Sequence, residues 1–86
     1  MNETHEELAV IDSEVHFGMR DGPFPVLWFS VATLNYGALQ ILDYETAIKL
    51  IQKHNIHDIK SMKGLACIVE VTGLAGGICV FKDLKK

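Results

Sequence analysis

From Leu8 to Met19 the chain is rich in strand-forming residues, and at its end Val15, Phe17 and Met19 alternate with Glu14, His16 and Gly18. Such alternation predicts a strand with one apolar and one wet face. Asp21-Gly22-Pro23 then signals a turn. Phe24–Ala32 reads differently. Val26 and Trp28 point one way, Leu27, Phe29 and Val31 the other, so both faces are apolar, as in a central strand covered on both sides. Thr33–Gly37 reads as a turn in which Asn35 and Gly37 suit positive φ, and 38–42 as a short third strand.

The period then changes. Asp43 suits a helix N-cap, with Glu45 in the electropositive first turn. A helix is expected over 44–54, burying Tyr44, Ala47, Ile48 and Ile51, with Leu50 widening the stripe. Lys53 and His54 sit at its negative end, Asn55 is the left-handed residue after it, and Ile56 folds back. His57–Lys63 is a polar connector anchored by Ile59 and Met62, and Gly64 opens a hairpin of strands 65–72 and 78–84 around Gly73–Gly77. The expectation is one α+β domain over residues 1–86, an antiparallel sheet of about five strands with one helix in the order β-β-β-α-β-β. Residues 1–7 read as a flexible acidic arm. One helix covers only one face of such a sheet, so the two-faced strand calls for further cover. A second subunit is the simplest source, and loops with the N-terminal arm are the other.

Composition narrows the functional classes. At 86 residues the chain allows one core, burying about 60–65% of the unfolded surface, which keeps oligomerisation in view. Hydrophobic residues make up 49% and charged residues 22%, which excludes long disorder. The net charge of -3 argues against DNA or RNA as partner. Arg20 is the only basic side chain of residues 1–43, against Glu3, Glu6, Glu7, Asp12, Glu14, Asp21 and Asp43. Residues 44–86 hold seven lysines against Glu45, Asp58, Glu70 and Asp83, so the halves carry -6 and +3, an asymmetry that favours head-to-tail or antiparallel pairing of subunits. The acidic, polar N-terminus is unlike a signal peptide, and no apolar run approaches the roughly 20 residues of a membrane span. A cytoplasmic, non-membrane protein is expected.

Candidate chemistry is sparse. His54 and His57 have zinc-helix spacing but straddle the expected helix end at Asn55, so they read as a capping and a solvated histidine. If Thr72 faces Gly77, then Cys79 faces Glu70 and Cys67 points to the other face, too far along the hairpin to be bridged. Two cysteines are too few for a disulfide scaffold. They read as small buried hydrophobes, without the helix N-terminus or cationic cluster that makes a thiolate. Asp12 and Glu14 lie on the wet face. Gly73–Gly77 precedes no helix and reads as a hairpin turn rather than a phosphate loop. No metal or cofactor is expected. Arg20, Asp21 and Phe24, then Asn35, Tyr36 and Gln40, remain in the two early loops, with Trp28 assigned to the core. Tyr36 is a large amphipathic ring on a turn, and Arg20, the only arginine, is the natural anion contact. Arg20, Asn35, Tyr36 and Gln40 are therefore the candidate ligand- or partner-binding residues, the alternative being plain turn chemistry.

The stretch Ile59-Lys-Ser-Met-Lys-Gly-Leu-Ala-Cys-Ile-Val-Glu70, followed by Gly76-Gly-Ile-Cys-Val80, resembles the "W-x-x-L-K-G-K-x-C-x-V-E" and "G-G-K-I" segments of a group of small bacteriophage-encoded proteins. The resemblance covers residues 24–84. Ile59 stands in place of the tryptophan, Leu65 in place of the second lysine, and the glycine run before the helix shrinks to Asn35-Tyr-Gly37. The resemblance implies a phage or prophage accessory protein in the host cytosol and supplies no catalytic residues. For such a protein it implies interference with a host defence, by occluding a host protein or sequestering a nucleotide-like signal between subunits. The reading is a non-catalytic, homo-oligomeric binding protein. The alternatives are a small hydrolase using His16 or His57 and a phage structural subunit.

Overall fold

The computed structural model describes residues 4–35, 37–73 and 78–85. They form one antiparallel sheet of six strands and one α-helix, the α+β class expected. The strands are β1 (Thr4–Ile11), β2 (His16–Met19), β3 (Pro25–Ala32) and β4 (Gly37–Leu42), then α1 (Tyr44–Lys53), a one-turn 3-10 helix (Ile59–Met62), β5 (Ala66–Thr72) and β6 (Ile78–Leu84). Hydrogen-bonded neighbours run β2-β3-β1-β5-β6, and β4 pairs with β3.

The N-terminal stretch departs from expectation twice. Thr4–Glu7 are not a loose arm, because they pair with Thr72–Val69 of β5. Residues 1–3 lie outside the described residues. The single first strand is broken in two at Asp12–Val15. Ser13 Oγ accepts the amide of Ser30 at 2.8 Å, and the Asp12 amide donates to Ser30 O at 3.1 Å. A side chain thus replaces a ladder partner, and the chain stays on β3 while changing direction. β1 lies along β5 from Thr4 to Val10 and reaches β3 at its end, through Val10↔Ala32 and Ile11↔Val31, and β2 continues on β3 from His16↔Trp28 onward.

This bend curls the sheet until β4 approaches β6, and Gln40 closes the gap. Its Nε2 donates to Cys79 O at 3.0 Å, and its Oε1 accepts the Phe81 amide at 2.9 Å. One carboxamide thereby satisfies a donor and an acceptor on the edge of β6, as a neighbouring strand would. Inside lie Ile11, Leu27, Phe29, Val31, Val69 and Val71, all close to fully buried.

α1 covers the interior with Ala47 and Leu50. Asp43 Oδ1 accepts the Thr46 amide at 2.8 Å, the expected N-cap. Beyond the helix Asn55 adopts φ 53° and the Ile56 amide donates to Ile51 O, as the sequence indicates. Met62 anchors the connector at full burial, with Ile59 packed against the core. The last hairpin pairs Thr72 with Ile78 rather than Gly77, so Cys79 faces Val71 and both cysteines point inward, unbonded to each other. Residues 74–77 of its turn lie outside the described residues, and Gly73 enters it at φ +96°.

Candidate functional site

Residues 20–24 close the β2–β3 hairpin, whose last pair is Met19↔Pro25. Pro25 opens β3, where a residue without an amide proton costs no ladder bond. Pro23 and Pro25 restrict the backbone on either side of Phe24, whose ring stands 71% exposed. Beside it is a hollow of about 340 Å³ with Pro23, Phe24, Val26 and Ile41 as apolar walls. Its polar groups are Arg20, Asp21 and Asp43. Mostly apolar walls with a few convergent polar groups are the usual make-up of a small-molecule site.

Arg20 is held by two contacts. Its guanidinium carbon lies 5.5 Å from the centroid of the Trp28 ring, within cation–π range. Its Nε is 3.4 Å from Asp21 Oδ2, which leaves the terminal fork for another acceptor. On the same ring His16, directly across the ladder from Trp28, stacks at 5.3 Å and 26°. Trp28 is therefore not a core residue. Alternation sends it outward, half-buried, and Leu27 and Phe29 inward. Asp43 caps the helix through Oδ1, and hydrogen bonding by Thr46 holds its carboxyl below the usual range.

The other sequence candidates fall elsewhere. Asn35 is exposed beyond Ala32, at the opposite end of β3 from the Arg20 turn. Eight residues of strand separate the two ends by roughly 23 Å, so Arg20 and Asn35 cannot grip one small ligand within a single chain. Tyr36 lies outside the described residues. Gln40 is buried at 7% exposure, and both ends of its amide are engaged on β6. It is a closure residue rather than a ligand-facing one, because Leu39 and Ile41 take the outward positions of β4. Val26 from β3, and Ile41 and Asp43 from the end of β4 and the helix cap that follows it, join the hollow without any local signal in the sequence.

A second polar cluster joins α1 to β6. Asp83 accepts from Lys53 Nζ, from His54 Nε2 at 2.7 Å and from the Leu84 amide at 2.8 Å. Burial raises the Asp83 pKa, but these three donors outweigh it and hold the carboxyl below its ordinary 3.8. A carboxyl depressed by folding stabilises the fold above its unfolded pKa, and that contribution fades as pH falls through its folded pKa. Asp83→Asn should therefore flatten the loss of stability on acidification below about pH 4. Urea melts of both proteins at neutral and acid pH would show it; parallel acid dependence would remove Asp83 from the account.

Neither cysteine is a poised nucleophile. Burial pushes the Cys67 thiol up to about 11, with Cys79 adding to it. Burial, then Glu7, raises Cys79. No group of three or more potential metal ligands occurs among the described residues. None of their helices is long and apolar enough to cross a membrane. Comparison with protein-family models, with curated proteins and with solved structures finds no match to this chain.

Proposed function

We propose that the protein works by binding rather than turnover, and that the hollow beside Arg20 takes a small nucleotide-like molecule. The observation that carries this is the hollow itself, an apolar slot with an exposed aromatic lip and a guanidinium fixed on Trp28. One guanidinium faces two carboxylates, so a bare anion is poorly matched. A ligand that offers N–H or O–H donors to Asp21 and Asp43, an anionic group to Arg20 and a flat body to Phe24 satisfies all three. The thiols held protonated in the interior favour sequestration over covalent catalysis. Such a role fits a homo-oligomeric accessory protein acting in a host cell, by capture of a signal molecule.

Trp28 is the only tryptophan and lies under Arg20, so its fluorescence reports on the site directly. Titration with AMP, GMP, CMP and UMP should give a saturable change with at least one of them. Inorganic phosphate and the matching nucleoside should bind more weakly. Arg20→Ala should weaken the nucleotide about 10–100-fold, the worth of a charge-assisted hydrogen bond. No saturable response to any mononucleotide up to about 1 mM, a range that includes weak small-ligand sites, would sink the proposal. So would unchanged affinity in Arg20→Ala.

A further inference from the structure

At the other end of β3, where the end of β1 lies between β3 and β5, Val10 pairs with Ala32 on one side and Ala66 on the other. Small side chains on both flanks leave a hollow of about 430 Å³ on the outward face of the sheet, walled by Leu8, Val10, Ala32, Leu34 and Ala66. None of the described residues that line it is charged, the composition of an interface centre rather than of ordinary surface. Leu34 stands beside this hollow, and its side chain is wholly in water at 101% exposure. The loop that presents it is tied by the Asn35 amide donating to Thr33 Oγ1 at 3.2 Å. A knob and a hole therefore sit next to each other on one surface.

We infer that this face pairs with a second copy of the chain about a two-fold axis, Leu34 of each copy seating in the hollow of the other. The inference rests on the oligomeric reading above and deepens it by assigning the face. A two-fold interface needs one patch carrying both a feature and its complement side by side, which a partner of unrelated shape would not require. Area supports the same occupant. Leu8, Val10, Leu34 and Leu39 are 58%, 44%, 101% and 49% exposed on this outward side. With Ile68, Ala32 and Ala66 between them they make an apolar patch on the scale, about 300–600 Å², of those that mark interaction sites on monomers. The Arg20 hollow lies at the far end of β3 and stays open in such a dimer.

Sedimentation velocity of the whole chain at about 50 µM tests this, since self-association follows protein concentration. The wild-type protein should sediment as a dimer. Leu34→Glu should weaken association by at least about 100-fold, the effect of a charge forced into an apolar interface centre. Ala66→Trp, which fills the hole rather than removing the knob, should do the same. Ile78→Glu, at an exposed position on β6, should leave association within about threefold, as for residues outside an interface centre. Far-UV circular dichroism checks that each variant is folded. A wild-type monomer would overturn both the oligomeric reading and this interface. A wild-type dimer that survives Leu34→Glu and Ala66→Trp would overturn the interface alone and leave the oligomeric reading standing.

Discussion

Phe29→Ala should destabilise the fold by about 3–5 kcal/mol, the range for deleting a fully buried aromatic ring. Phe29 is 1% exposed and meets Phe81 edge-on at 5.2 Å and 84°, so the pair joins β3 to β6 across the interior. Removing one ring deletes both its apolar burial and the aromatic contact, and the strands around it are hydrogen-bonded on both sides and cannot collapse freely. Against a total stability of about 5–15 kcal/mol, a domain of this size would be left marginal. Urea unfolding measures it. A midpoint within experimental error of the wild type would mean that the interior is not packed as described. Phe24→Ala is the contrasting substitution. Its ring is exposed, so stability should change by no more than about 0.5 kcal/mol while mononucleotide binding weakens.

Gln40→Leu should cost about 2–4 kcal/mol, although leucine fills nearly the same space and is more apolar. The loss comes from the two backbone groups left behind. Cys79 O and the Phe81 amide bond Gln40 on the side of β6 away from β5, where the strand order ends among the described residues, and each unsatisfied buried group costs about 1–3 kcal/mol. With about 4–8 °C per kcal/mol for a domain this small, the melting temperature should fall by roughly 10–25 °C. Hydrogen exchange at the Phe81 amide should accelerate more than at Val69 or Val71 on β5. Gln40→Glu sharpens the test. An ionised carboxylate can still accept from Phe81 but cannot donate to Cys79, so that variant should regain stability as pH falls and the carboxyl protonates. A Gln40→Leu protein as stable as the wild type would show that β4 and β6 need no bridge. Phe29 and Gln40 face each other across the β3–β4 ladder, so their double variant should not be additive.

Much of this fold was legible because local rules governed it. The helix was marked by Asp43 at one end and Asn55 at the other, and Leu27, Phe29 and Val31 were assigned to one face by alternation alone. What stayed hidden depended on partners distant in sequence. Ser13 breaks the first strand only because Ser30 is there to bond it. Thr4–Glu7 look like a solvated arm until β5 supplies a ladder. Gln40 looks like a loop polar residue, and only the curl that brings β6 beside β4 turns it inward. Trp28 differs from its sequence expectation for a related reason. Its hydrophobicity suggested the core, but the outward face of β3 is where His16 and Arg20 stack on it. For the candidate site, Arg20 was recognisable as the only arginine, while Val26, Ile41 and Asp43 are brought beside it by strand pairing that no local pattern encodes. Asn35 shares a polar, ligand-competent chemistry with Arg20, and the length of β3 separates the two.

Native mass spectrometry with a mononucleotide present tests the central claim most directly, because one spectrum reports both assembly and occupancy. Wild-type protein should appear as a dimer carrying one nucleotide per chain, and Arg20→Ala as the same dimer without it. A nucleotide-free wild-type protein, or equal loading of the Arg20→Ala protein, would contradict the account.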